Sequence, residues 1–119
     1  MLKRILVLDD HQDMLDVVHE ALTYEKFQVK VTSDSRNILS IAENFNPDVL
    51  IMDYKLTGSK GGEVCKMIKS NKNLRNTPVI ICSAYINRNI DVMACGCDAV
   101  LAKPFGLDEL VDKVNNLIS

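Results

Sequence analysis

Three runs of this chain, residues 5–8, 49–52 and 79–82, consist of Ile, Val, Leu, Met and Cys without polar alternation. A strand apolar on both sides must be covered on both faces, a condition met by parallel sheets sandwiched between helices. Two weaker runs, Gln28 to Thr32 and Ala99 to Ala102, are expected nearer the sheet edges. Between the runs, apolar residues recur with helical spacing in five stretches: Met14 to Leu22, Ile38 to Phe45, Val64 to Ile68, Ile86 to Ala94 and Leu107 to Ile118. Each carries one apolar stripe, so each covers one face of something flat. Strand and helix therefore alternate through right-handed crossovers, giving an α/β doubly wound (βα)5 three-layer sandwich. Among common strand orders, 2-1-3-4-5 suits such a chain and puts its switch point between strands 1 and 3.

The boundaries agree with this pattern. Asp34 or Ser35 is placed to cap the second helix, Pro47 and Pro78 stand just before strands, Gly96 can end the fourth helix, and Asp108 with Glu109 favour the first turn of the last. With 119 residues, the sequence reads as a single domain, large enough to form a core without disulfides or a structural metal. A net charge of -2 argues against a broad electrostatic grip on nucleic acid. The four apolar residues after Lys3 and Arg4 are too few for a signal peptide or a membrane span, so a cytoplasmic location is expected. Cys65, Cys82, Cys95 and Cys97 form no CxxC pair and read as small hydrophobes, although Cys95-Gly96-Cys97 offers two thiols to a soft ion.

The chemistry lies where the apolar runs end: Asp9 and Asp10 follow the first, Asp53 the second, Ser83 the third, and Lys103 the Val100 to Ala102 run. In an open parallel sheet those ends share one edge, where ligands bind. Two carboxylates about 4 Å apart repel by roughly 4 kcal/mol at an effective dielectric of about 20, so such a group calls for a cation. Mg²⁺ fits, because it accepts one or two carboxylates, keeps several waters and takes a phosphate oxygen as another ligand. An aspartate beside that ion can attack a phosphoryl group and hold it as an acyl phosphate, with Lys103 and Ser83 stabilising the phosphoryl oxygens.

With these residues in place, the chain resembles response-regulator receiver domains of two-component signalling over nearly its whole length. The matching segments are Ile5-Leu6-Val7-Leu8-Asp9-Asp10, Asp48-Val49-Leu50-Ile51-Met52-Asp53, Pro78-Val79-Ile80-Ile81-Cys82-Ser83-Ala84 and Lys103-Pro104-Phe105. Receivers are standard examples of the flavodoxin-like order 2-1-3-4-5, so that order is not independent of the resemblance. The resemblance implies Asp53 as phosphoacceptor, Asp9 and Asp10 as the acidic pair for Mg²⁺, Ser83 as switch hydroxyl and Lys103 as the paired lysine. It also implies the Lys55 backbone carbonyl as a metal ligand and a cis Lys103-Pro104 bond. The implied partners are a sensor histidine kinase or phosphotransfer protein upstream, and a downstream protein or an output domain beyond Ser119. A phosphorylation-dependent homodimer is a further implied state. The domain would assist its own phosphorylation and dephosphorylation without being an enzyme of other substrates. The chain departs from the family's habits at Val100, where an aromatic is frequent, and at Thr57, where proline is common. The following Gly58 to Gly62 segment would make that loop more mobile.

Plainer readings stand beside these. Taken singly, Asp9 or Asp10 is a helix cap, Asp53 a loop residue, Lys103 a solvated lysine and Ser83 a turn former. His11 and His19 could serve as metal ligands or phosphate carriers, but no spacing with Cys or carboxylate supports a zinc site, so they read as surface histidines. Tyr85 and the Lys55 side chain occupy positions that tune water access to the phosphoryl group in such domains, or are ordinary loop residues. Gly58 to Gly62 lacks GxxxxGK[ST] and reads as a turn. A flavin-binding electron carrier on the same fold would need a Ser/Thr/Gly-rich phosphate loop where this chain has Asp10-His11-Gln12-Asp13. An aspartyl phosphohydrolase would place a second acid two residues after Asp9, where His11 stands. A scaffold that takes no phosphate is disfavoured by a complete acidic set.

Overall fold

A computed structural model of the chain describes residues 2–56, 59–83 and 96–118. Its five-stranded sheet is formed by β1 (Arg4–Leu8), β2 (Gln28–Thr32), β3 (Val49–Asp53), β6 (Val79–Ser83) and β7 (Ala99–Ala102), with a hairpin of β4 (Lys55–Leu56) and β5 (Ser59–Lys60) between β3 and β6. The sheet runs in the order β2-β1-β3-β6-β7, and every pairing within it is parallel. Numbered among themselves, these strands follow the expected 2-1-3-4-5 arrangement. The weaker runs form the two edges, also as expected.

The absence of polar alternation has a direct structural meaning. In β1, Leu6 and Leu8 enter one apolar cluster while Ile5 and Val7 enter another; in β3, Leu50 and Met52 divide from Val49 and Ile51 in the same way. Successive side chains of a strand point to opposite faces, so the two clusters are the two sides of the sheet. Helices α2 (Ile38–Phe45) and α3 (Gly61–Ser70) cover the first side through Ile38, Ala42, Val64, Cys65 and Ile68. Helices α1 (Gln12–Tyr24) and α4 (Leu107–Ile118) cover the second through Leu15, Val18, Leu22, Leu110 and Val114. None of the helices among the described residues is long and apolar enough to cross a membrane. The helix expected over Ile86 to Ala94 lies outside the described residues.

Local signals were met with two adjustments. Asp34 does not cap α2 directly: its carboxylate accepts hydrogen bonds from the Arg36 and Asn37 backbone N–H groups and closes a turn that ends at the N-cap residue Asn37. The Asn37 side chain donates to the same carboxylate, and this bond leads in holding Asp34 below the usual carboxylate range. The expected turn over Gly58 to Gly62 is instead shared between the β4–β5 hairpin and the first residues of α3, with Thr57 and Gly58 outside the described residues. Elsewhere the signals hold. Asp108 and Glu109 occupy the first turn of α4, where the Glu109 carboxylate accepts from the Gly106 N–H at 3.2 Å. Gly96 has φ 91°, a left-handed conformation suited to glycine, while the helix it is expected to end lies outside the described residues.

Candidate functional site

Because β1, β3, β6 and β7 run parallel, their carboxyl ends share one edge, and register sets the order of side chains there. Leu8 lies opposite Met52, Asp53 opposite Cys82, and Ser83 opposite Ala102. Asp53 and Ser83 are the last residues of β3 and β6, while Asp9 and Lys103 directly follow β1 and β7, so all four stand at this edge. Asp9 and Asp53 are buried with only 4% and 6% of their surface exposed, and Ser83 is buried as well. Asp10 is half-buried.

Lys103 reaches across this edge. Its Nζ lies 3.0 Å from Asp53 Oδ1 and 3.7 Å from Asp9 Oδ2, so one ammonium spans two carboxylates from different strands. At an effective dielectric of about 20, either pairing is worth about 4–6 kcal/mol of gross attraction before desolvation is counted. Burial works against the Lys103 ammonium, but the hydrogen bond to Asp53 and the charges of Asp53 and Asp9 outweigh it, holding the group above the ordinary lysine range. The Lys103 backbone is held too, its N–H donating to the Ser83 carbonyl at 3.0 Å. The Lys103–Pro104 bond is cis, as the resemblance implies.

The raised Lys103 value fixes a pH dependence. A group whose folded pKa exceeds its unfolded value of 10.5 gives its full stabilisation below 10.5 and loses it as pH rises through the folded value. In metal-free protein, Lys103→Met is therefore expected to melt below the wild type from neutral pH up to that point, with the gap narrowing above it. Thermal melts by circular dichroism across the alkaline range measure this, and a constant gap would show that the charge of Lys103 does not stabilise the fold.

One contributor lay outside the sequence expectation. His11, the N-cap residue of α1, places ring Nδ1 2.9 Å from Asp9 Oδ1, and the same oxygen accepts the His11 backbone N–H at 2.9 Å. The ring is largely exposed, as a surface histidine should be, yet its polar edge belongs to the acidic site. Among the described residues, the Asp9, His11 and Asp53 side chains bring ligand atoms within 4.8 Å of one another, close enough to share an ion after small shifts. Asp10 is not part of that trio. The only sequence signal for His11 was its separation of two from Asp9, too short to distinguish a turn contact from none.

The remaining candidates are placed less closely. Lys55 opens β4, two positions beyond Asp53. Val100 is half-buried and packs against the apolar cluster on the α2 and α3 side. Tyr85 and Cys95 lie outside the described residues, while Cys65, Cys82 and Cys97 are buried in the core. Burial pushes the Cys82 thiol up to about 12, more than the neighbouring Lys103 ammonium pulls it down, so this thiol beside the site stays neutral.

Comparison with known proteins gives this geometry a family. The chain is 26% identical over 117 residues to the response regulator MprA of Mycolicibacterium vanbaalenii, covering 97% of this chain and 50% of MprA. It thus spans about half the length of that curated relative. Among solved structures, the receiver domain of the Francisella response regulator 1452 superposes with a TM-score of 0.88 at 30% identity, covering 98% of this chain and 96% of that one. The response regulator TrrA of Thermotoga maritima, solved in complex with Mg²⁺-BeF, superposes with a TM-score of 0.86 at 29% identity, covering 98% and 99%. Receiver domains related to this chain thus include one solved with Mg²⁺, and here Asp9 and Asp53 form an acidic cluster able to bind such an ion. The model of the response regulator receiver domain matches residues 5–115, from the first strand into the last helix, and the chain belongs to that family.

Proposed function

We propose that residues 1–119 act as one receiver module in the cytoplasm, a phosphoryl-operated switch in which Asp53 accepts a phosphoryl group from the phosphohistidine of a partner kinase or phosphotransfer protein. The observation that carries this reading is the buried Asp53 carboxylate at the end of the central strand, 3.0 Å from the Lys103 ammonium and grouped with Asp9. An Asp53 oxygen attacks phosphorus, forming an acyl-phosphate O–P bond as the N–P bond to the donor imidazole breaks and its electron pair returns to the ring nitrogen. Asp9, Asp10, Asp53 and the Lys55 carbonyl would hold Mg²⁺, which would supply positive charge to the transferring oxygens.

Lys103 has two duties in this scheme. It balances Asp9 and Asp53 before transfer, then follows the negative charge onto the phosphoryl oxygens. Ser83, at the end of β6, donates its hydroxyl to one of those oxygens, drawing the segment that follows it toward the site. The consequence is a change in affinity for a downstream protein or an attached output domain. With Val100 in place of an aromatic, that coupling runs through the Ser83 segment rather than through a rotating ring on β7.

The test is chemical. Incubation with acetyl phosphate and Mg²⁺ should add one phosphoryl group by intact-protein mass spectrometry, and hydroxylamine, which cleaves acyl phosphates, should remove it. Chelation of Mg²⁺ before incubation should suppress the gain. A modification that forms equally well without Mg²⁺, or that survives hydroxylamine, would sink the reading.

A further inference from the structure

We propose that His11 is a third ligand at the cation site of Asp9 and Asp53, giving that site a preference for borderline divalent ions such as Co²⁺, Ni²⁺ or Zn²⁺ over Mg²⁺. The idea rests on the reading of Asp9 and Asp53 as cation ligands and adds a nitrogen donor to them. Adjacent donors on one octahedral ion, with bonds of about 2.1 Å, lie about 3 Å apart. The His11 ring nitrogen is already 2.9 Å from the Asp9 oxygen, so the pair has ligand spacing with a proton between them. Asp9, His11 and Asp53 each bring one ligand atom within 4.8 Å of the others, leaving only a modest approach to close the set.

The rest of the local structure permits ligation. The His11 backbone is held by its N–H bond to Asp9, while the ring is 70% exposed with its Nδ1 already on the Asp9 carboxylate. His11 and Lys103 line the same open cleft, so the imidazole is within reach of solvent. The Lys103 ammonium at 3.0 and 3.7 Å from the two carboxylates shows that this pocket already draws positive charge. For the neutral imidazole to bind through Nδ1, its proton must sit on Nε2, a tautomer exchange with water that leaves the net charge of the ring unchanged.

Selectivity follows from the donor types. Mg²⁺ prefers oxygen and keeps its waters, so a swinging imidazole adds little to its affinity. Co²⁺, Ni²⁺ and Zn²⁺ bind imidazole well, so a nitrogen beside two carboxylates widens their advantage over Mg²⁺.

Calorimetric titration of metal-free protein with CoCl₂ and MgCl₂, backed by the visible absorption of bound Co²⁺, tests this on the wild type, His11→Ala and His11→Gln. His11→Ala should lose roughly 10- to 100-fold in Co²⁺ affinity and change by less than about 2-fold for Mg²⁺. His11→Gln retains an N–H donor for Asp9 without a good ligating nitrogen, and should behave like His11→Ala. Unchanged Co²⁺ affinity in His11→Ala overturns the proposal, and so does full recovery in His11→Gln, which would make His11 a positioning residue for Asp9. A wild type that binds Co²⁺ but not Mg²⁺ would count against the Mg²⁺ switch while leaving His11 ligation standing. Failure to bind either ion would remove both.

Discussion

Asp53→Asn protein is expected to stay at its unmodified mass in acetyl phosphate and Mg²⁺, under conditions in which the wild type gains one phosphoryl group. The amide has nearly the shape of the carboxylate but no anionic oxygen to attack phosphorus, so the loss should be complete rather than partial. The fold should survive. Lys103 would exchange a carboxylate at 3.0 Å for a neutral amide that can still accept its hydrogen bond and would keep Asp9 at 3.7 Å, and the removed charge also ends one repulsion in the pocket. Matching circular dichroism spectra for the two proteins would separate lost chemistry from lost structure. Persistent mass gain in the variant would instead move the acceptor to another side chain, with Asp9 and His11 the nearest candidates.

Leu50→Ala should destabilise the fold by about 2–5 kcal/mol, a large fraction of the roughly 5–15 kcal/mol expected for a domain. Leu50 is fully buried in the middle of the sheet, where β3 pairs with β1 on one side and β6 on the other. Truncation there removes contacts with helices α2 and α3 and leaves a cavity that two flanking strands keep from collapsing. Val29→Ala, on the half-buried edge strand β2, should cost markedly less. Urea denaturation followed by far-ultraviolet circular dichroism measures both, the chain having no tryptophan to report by fluorescence. Equal costs at the two positions would contradict a sheet whose centre is dry and whose edge is wet.

Much of the architecture could be read from individual residues. Ile5 to Leu8 and Val49 to Met52 announced two-sided burial, and the structure divides their side chains between two helix-covered faces. The weaker alternation of Gln28 to Thr32 announced an edge. Caps were harder, since Asp34 can serve a helix or the turn before it with nearly the same local bonds. The pairing of β4 with β5 was also hidden, because two-residue strands leave no measurable period.

The site was legible as a set of residues but not as a set of distances. Asp48 and Asp98 show the limit: each is an aspartate beside an apolar run, as Asp9 and Asp53 are. Yet Asp48 accepts the Arg4 backbone N–H, while Asp98 accepts the Val79 N–H and the Lys69 ammonium. They stand before their strands, at the opposite edge of the sheet, where they tie neighbouring chain segments together. Strand direction assigns the two pairs of aspartates to different work.

By itself, then, the sequence determined the strands, the helices that cover them and the polar residues that close each run, because burial on two faces and helical periodicity are properties of neighbouring residues. Only the tertiary structure decided that one Lys103 ammonium spans Asp9 and Asp53, that the exposed His11 ring turns its polar edge onto Asp9, and that Asp10 stands outside that trio. Those relations depend on parallel register between segments far apart in the chain and on the rotamers their packing allows, neither of which a local pattern encodes.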